Sequence, residues 1–233
     1  MIQVEIKKNI KSKTIPNMIL AVLGVCGMYL FLLYSDIFQK SPCTDMNKLK
    51  LISNGFNADI AYYFIPFVIL YLINECFAHD IQTGRLKFIM IKVKKSSIIC
   101  NKLIFMVLVS AMVLLITNII NFILVPSIAA KGLTFSLFSL WLYLKELIII
   151  TLMILCFTPI AMINNMNLIG LLIIHFIFIF IGKVNSFISR IVYSGQLANL
   201  VYNEKIEFGI IILEIILLFI FNIIIFERRE FTE

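Results

Sequence analysis

Few residues of this chain have the type and spacing that catalysis requires. The two histidines, His79 and His175, lie far apart and lack metal-ligand spacing. The sequence contains no phosphate-binding loop of the form G-x-x-x-x-G-K-[ST], and neither an H-E-x-x-H nor a G-x-S-x-G motif. We therefore expect no catalytic centre, no metal site and no cofactor bound by this chain.

Three ionisable residues fall inside long apolar runs, namely Glu75, His175 and Glu214. Ionisable groups within a membrane are candidates for function because they are unfavourable there. Glu214 has an alternative, which is to reach the membrane surface or to pair with Lys205 or Arg190. His175 has an alternative to transport, which is a hydrogen bond to a neighbouring helix.

Asparagines in the same runs are a second polar set. Asn118 and Asn121 lie in one run, Asn222 lies in the last run, and Asn74 lies beside Glu75. Amides inside membrane bundles commonly hydrogen-bond across helices. We therefore expect Asn74, Asn118 and Asn121 either to join helices or to line a path, and Asn222 to be an interhelical hydrogen-bond partner.

The composition is that of a polytopic membrane protein. Of 233 residues, 61% are hydrophobic and 14% are charged. The longest polar stretches, 35–59 and 182–208, are too short for a soluble core, so residues 1–233 are predicted to form one transmembrane domain. The formal charge of +7 could suggest nucleic acid as a partner, but basic residues beside apolar runs are better explained as topology signals.

The predicted architecture is all-α, with six transmembrane helices. Residues 1–16 are predicted to form an amphipathic helix at the membrane surface, because Ile2, Ile6 and Ile10 share one face. The alternative is a solvated basic tail that only sets orientation. The six spans are expected at about 17–34, 60–78, 103–125, 147–163, 168–181 and 209–226.

Several local features refine this prediction. Pro126 is expected to end the third span, and Lys145 with Glu146 to precede the fourth. The fifth span has 14 residues, about 21 Å, and should be sheltered by protein. Residues 182–208 are amphipathic and predict a re-entrant helix pair before the sixth span, divided at Ser194–Gly195.

Charge predicts the orientation of these spans. Most of the 20 basic residues fall in the N-terminal segment, in the loop after the second span and at the C-terminus. Short loops rich in lysine and arginine stay on the cytoplasmic side. Both termini are therefore expected in the cytoplasm of a cell whose plasma membrane holds the chain.

The loop between the second and third spans, residues 79–102, has a distinct pattern. Within FAHDIQTGRLKFIMIKVKKSSIICNK, which starts at Phe77, Asp80 is the single acid among six basic residues, and apolar residues alternate with the charges. Such a segment can lie on the inner membrane surface and present its polar side to a soluble partner. The alternative for Arg85 and Lys87 is that they face anionic lipid.

This pattern resembles the ABC-2 type permeases, the membrane subunits of bacterial ABC exporters. The chain opens with Glu5, the pair Lys7–Lys8 and then Ser12–Lys13, as such permeases often do. In the loop after the second span, Asp80 stands for the family's acid, Gly84 for its glycine and Lys102 for its closing lysine. The chain departs from the family pattern at three positions: Arg85, Lys92 and Asn101.

The resemblance implies a non-enzymatic permease that works with a second permease chain and with two copies of an ABC ATPase, which carries the ATP and magnesium. It assigns Asp80, Gly84, Arg85 and Lys87 to the surface that docks the ATPase. It further implies export of, or immunity to, an amphipathic or hydrophobic cargo such as an antimicrobial peptide, through the plasma membrane of a bacterium. The competing hypotheses are a passive channel and a membrane scaffold or immunity protein without ATP coupling.

Overall fold

The computed structural model of the chain describes residues 2–40, 60, 64–128, 137–164, 167–184, 192–201 and 208–229. The described residues are helical with short connections and contain no strand. Three helical segments are long and apolar enough to cross a membrane: Lys95–Ile120, Tyr143–Met162 and Phe208–Arg228. Two shorter apolar helices, Thr14–Met28 and Leu168–Ile181, accompany them. The predicted all-α class is therefore confirmed for the described residues, and three of their helices have the length and apolarity of a membrane span.

The described part of the chain includes ten α-helices and a π-helical turn at residues 74–78, and Ile60 and Phe64 are π-helical as well. In chain order they are α1 (Ile2–Lys11), α2 (Thr14–Lys40), α3 (Ile65–Ile73), the π turn (Asn74–Ala78), α4 (His79–Gln82), α5 (Arg85–Met90), α6 (Lys95–Ile128), α7 (Leu137–Asn164), α8 (Leu168–Val184), α9 (Tyr193–Val201) and α10 (Phe208–Arg228).

Helix α3 lies at the centre of the bundle. Seven of its nine residues are buried, and α6, α7 and α8 pack around it. Helix α7 also contacts α9 and α10, while α2 packs on α6. Apolar contacts of this kind stabilise membrane bundles through close packing, because lipid tails are as apolar as the side chains.

The outer helices expose apolar faces. Leu20 of α2, Leu108 of α6, Phe180 of α8 and Leu217 of α10 are each at least half exposed. Helices can present such faces to lipid because their backbone groups are already hydrogen-bonded within the helix. The polar groups that matter for function must therefore be sought inside the bundle and at its ends.

Two predicted boundaries are wrong. Helix α6 starts at Lys95 and runs past Pro126 to Ile128, so that the proline falls in its last turn. Helix α7 starts at Leu137 and contains both Lys145 and Glu146, which were expected to precede it. Neighbouring residues on a helix point about 100° apart. Lys145 and Glu146 can therefore lie within one helix, because only Glu146 has to be buried.

The segment before α10 is described only in part. Tyr193–Val201 forms α9, and Ser194–Gly195 lies in its first turn rather than between two helices. The first half of the predicted helix pair lies outside the described residues. Helix α9 packs against α7 and α8, so it is sheltered by protein.

Candidate functional site

Four charged side chains from three remote parts of the sequence meet at one end of the bundle. Glu5 and Lys8 come from α1, Asp80 from α4 and Lys102 from α6. The Lys8 ammonium lies 2.6 Å from Asp80 Oδ1 and 3.9 Å from Glu5 Oε2. The Lys102 ammonium lies 2.7 Å from Asp80 Oδ2 and 3.2 Å from Glu5 Oε1. Acids and bases thus alternate around a closed ring, which we call the charge ring.

The charge ring is buried. Lys102 and Asp80 are fully buried, Glu5 is 4% exposed, and the Lys8 side chain is 8% exposed. Buried charges are tolerated only when they are paired and hydrogen-bonded, and breaking one pair leaves an uncompensated charge. The formal charges of the ring sum to zero, so its members stabilise one another as a set.

Both lysines of the ring also bind the π turn. Lys102 Nζ donates to the backbone carbonyl of Cys76 at 2.6 Å, and Lys8 Nζ donates to that of Glu75 at 3.5 Å. In the π turn, the His79 N–H donates to the Asn74 carbonyl, five residues back. The Lys102 ammonium also lies 5.5 Å from the centre of the Phe77 ring, at cation–π distance. The ring and the π turn therefore form one polar unit.

The electrostatics keep Asp80 ionised. Burial raises the pKa of the Asp80 carboxyl, but the ammonium groups of Lys102 and Lys8, with their hydrogen bonds, outweigh burial and hold the pKa below its usual value. Asp80 is thus a carboxylate at neutral pH, as its two short contacts require.

The position of Asp80 corrects its predicted role. Asp80 was expected to face a soluble partner, but its side chain is 1% exposed and lies beneath Lys8 and Lys102. It cannot offer a surface contact while the ring is closed.

The other predicted docking residues lie on the surface beyond the ring. Gly84 has φ +67°, the left-handed conformation that separates α4 from α5. Arg85 is exposed and Lys87 is half-buried. Phe88 and Ile91 are 73% and 80% exposed, which is unusual for large apolar side chains outside a span. We call Arg85, Lys87, Phe88 and Ile91 the α5 surface.

The same end of the bundle holds the C-terminus of α10. Lys95 Nζ donates to the carbonyls of Glu227 at 3.2 Å and Arg229 at 3.0 Å. A lysine at this place satisfies the last carbonyls of a helix and matches its dipole. The loop that carries the α5 surface therefore contacts both the first and the last described helix.

A buried acid that was not predicted as a site residue lies on α7, where that helix packs against α6. Glu146 of α7 is 3% exposed, and its Oε2 accepts a hydrogen bond from Asn118 Nδ2 at 3.1 Å. Asn118 also donates to the Leu114 carbonyl, and the Tyr143 hydroxyl donates to the Ala111 carbonyl at 3.1 Å. The expected interhelical role of Asn118 is thus present, with Glu146 as its partner.

His175 lies in an aromatic environment. Its Nδ1 shares a hydrogen bond with the Tyr193 hydroxyl of α9, and its Nε2 is buried without a hydrogen-bond partner among the described residues. Rings of Phe67, Phe157 and Phe176 surround it at centroid distances of 6.0–6.3 Å. The expected hydrogen bond to a neighbouring helix is present, and it holds α9 against α8.

The remaining predicted polar residues do not gather into one site. Glu214 is half-buried, with Oε2 buried and unpartnered, and its expected partners Lys205 and Arg190 lie outside the described residues. Asn74 is half-buried in the π turn. The Asn121 side chain lies outside the described part.

One further asparagine does join helices. The Asn222 amide donates to the Leu155 carbonyl of α7 at 2.9 Å. Asn222 is thereby an interhelical partner, as expected, rather than part of a path.

A signal for the charge ring was present in the sequence. Glu5, Lys8 and Asn9 share one face of α1, opposite Ile6 and Ile10, and that polar face is the one turned to the protein. What the sequence could not show is which remote charges complete the set. Comparisons with protein-family models, with curated proteins and with solved structures find no match to this chain.

Proposed function

We propose that this chain is the permease subunit of an ATP-driven exporter of the ABC-2 type. The charge ring carries this proposal. Four of the residues that carry the resemblance, Glu5, Lys8, Asp80 and Lys102, come from three remote segments of the sequence and meet in one buried cluster. A pattern that only set topology would leave these charges in water or among lipid headgroups.

In this proposal the ring joins the N-terminal helix, the first inner loop and the third span into one mechanical unit. An ATPase that moves the loop would then also move α1 and α6, because separating them exposes unpaired charges. Lys95, bound to the end of α10, extends the link to the last span. ATP-driven closure of the partner thereby shifts the bundle between two packings.

The docking surface is the α5 surface, with Gly84 as the bend that presents it. Exposed Phe88 and Ile91 with the cation of Arg85 suit a partner groove that is apolar and rimmed by acids. Asp80 acts behind this surface as an anchor. The ATPase, two copies per transporter, binds the ATP and magnesium that this chain lacks motifs to hold.

Six spans with both termini in the cytoplasm fit this role. The contacts of Lys8 with Asp80 and of Lys95 with the end of α10 bring α1, the loop and the C-terminus to one end of the bundle. That end carries most of the basic residues, which favours the cytoplasmic side of a bacterial plasma membrane. Exposed apolar residues of α8 and α10 would face lipid or a second permease chain.

The cargo proposed is amphipathic or hydrophobic, in the class of peptides and peptide antibiotics. Beyond the charge ring, most buried side chains of the described residues are apolar, and the polar ones pair locally, as Asn118 does with Glu146 and His175 with Tyr193, rather than forming a row. A hydrated ion would need a continuous series of polar contacts.

Co-purification from the native membrane tests this function. The tagged wild-type chain is expected to bring down an ATPase that carries a phosphate-binding loop. The double variant Arg85→Glu/Phe88→Asp should lose it, whereas Lys11→Glu, an exposed charge reversal on α1, should retain it. An ATPase equally retained by both variants would contradict the docking assignment, and cargo efflux by the purified chain without ATP would favour the passive channel.

A further inference from the structure

The π turn between α3 and α4 is a second feature of the polar unit. A π-helical turn holds one more residue than an α-helical turn and is uncommon, and such turns concentrate at functional sites. Here the extra residue is accommodated where two lysine side chains approach the backbone. Lys102 donates to the Cys76 carbonyl and Lys8 donates to the Glu75 carbonyl, and both carbonyls belong to the turn.

We propose that the π turn is a register switch that Lys8 and Lys102 hold in place. When the two ammonium groups leave the Glu75 and Cys76 carbonyls, the turn closes to α-helical spacing. Helix α4 then rotates relative to α3 by about one residue, roughly 100°.

The charge ring and the register are coupled by geometry. A one-residue shift replaces Asp80 at the ring by a neighbour, either His79 or Ile81, and neither is an acid. The ring therefore opens when the turn changes, and the turn is free to change when the ring opens. Two packings of a helix separated by one residue are discrete, as a switch requires.

The change in register also moves the α5 surface. Helix α4 leads through Gly84 to the α5 surface, so rotation of α4 redirects Arg85 and Phe88. That an ATPase drives this movement rests on the proposed function. The switch itself does not, because all of its parts lie in this chain.

Fluorine NMR on the full-length protein in detergent micelles tests the switch. Position 79, an exposed residue of α4, is replaced by 4-(trifluoromethyl)phenylalanine as a reporter. The otherwise wild-type protein should give one dominant resonance. Lys102→Met should make a second resonance visible, because the population of the shifted state, minor in the wild type, rises on the order of tenfold. Lys94→Met, which removes an exposed lysine of the same loop, should leave the spectrum unchanged.

Deletion of Asn74 gives the decisive control. Without the extra residue the helix has α-helical spacing while Asp80 keeps its place, so the deletion variant should show the wild-type resonance alone. Lys102→Met should then add no second resonance in the deletion background. If Lys102→Met does not fold, Lys8→Met serves in its place.

Two results would overturn the switch. One is a single unchanged resonance in both lysine variants. The other is a second resonance that persists after Asn74 is deleted, since that would indicate general loosening. A transport assay separates this inference from the proposed function. If the switch is seen by NMR but transport needs no ATPase, the proposed function is contradicted and the switch is not.

Discussion

Replacing Asp80 by asparagine perturbs the charge ring with little change in shape. The carboxylate contacts two ammonium groups at 2.6 Å and 2.7 Å, and asparagine can offer an oxygen to only one of them. Its amide N–H groups would point toward the other lysine. The variant therefore leaves one buried ammonium group without its main partner.

The structure sets the size of the effect. Breaking a buried ion pair by removing one partner costs roughly 3–5 kcal/mol. We expect a loss at the lower end of this range for two reasons. Glu5 remains 3.2 Å from Lys102, and the Lys8 side chain is 8% exposed, so that water can solvate its ammonium group. We expect Asp80→Asn to lower the free energy of unfolding by about 3 kcal/mol.

Unfolding by sodium dodecyl sulfate from mild detergent micelles, followed by circular dichroism, measures this quantity. Glu75→Gln is the matched control, because Glu75 is an acid one turn away that makes no ion pair among the described residues. This substitution should change the free energy of unfolding by less than about 0.5 kcal/mol. In a double-mutant cycle, Asp80→Asn with Lys102→Met should cost less than the sum of the single changes. A loss for Asp80→Asn no larger than that of Glu75→Gln would refute the ring as a source of stability.

Three further predictions follow from the same contacts. Because the lysines lower the pKa of Asp80, the contribution of its carboxylate to stability is present above pH about 4 and is lost only below that. The difference in free energy of unfolding between wild type and Asp80→Asn, measured by the same titration, should therefore stay constant from pH 8 to pH 5. A difference that disappears in that range would contradict this prediction. Gly84→Ala, at φ +67°, should lower the free energy of unfolding by roughly 1–2 kcal/mol, and equal stability would argue against the left-handed bend. Asn222→Leu should lower it by about 1 kcal/mol through loss of the bond to Leu155, and an unchanged value would contradict that role.

Run length and hydropathy predicted much of the helical framework. The helices expected at 168–181 and 209–226 differ from α8 and α10 by three residues or fewer at either end. Gly84 divides α4 from α5, as its residue type favours, because only glycine adopts a left-handed conformation without strain. These features depend on local chemistry, which the sequence displays directly.

Features that depend on remote contacts were not predictable in the same way. Asp80 was expected to face a soluble partner, because the sequence does not show that Lys8 and Lys102 lie beside it. Glu146 was expected, with Lys145, to precede the fourth span, because a charged pair interrupts an apolar run, whereas Asn118 of α6 gives it a buried partner. In both cases the decisive partner lies more than 20 residues away in sequence.

Helix boundaries and the π turn illustrate a second limit. Proline ends most helices, yet Pro126 lies in the last turn of α6, where few further backbone hydrogen bonds are lost. The π turn has no composition signal, since it depends on lysine side chains from α1 and α6 that bind its carbonyls. Local propensity therefore cannot locate it.

Photocrosslinking from the α5 surface tests the central claim most directly. A benzoyl-phenylalanine placed at Phe88, which is 73% exposed, should form one dominant crosslink in native membranes, to a polypeptide with a phosphate-binding loop. The same probe at Leu20, an exposed residue of α2, should give no such product. Crosslinks from position 88 to lipid alone, in cells that actively export the cargo, would contradict the assignment of this chain as a permease driven through that surface.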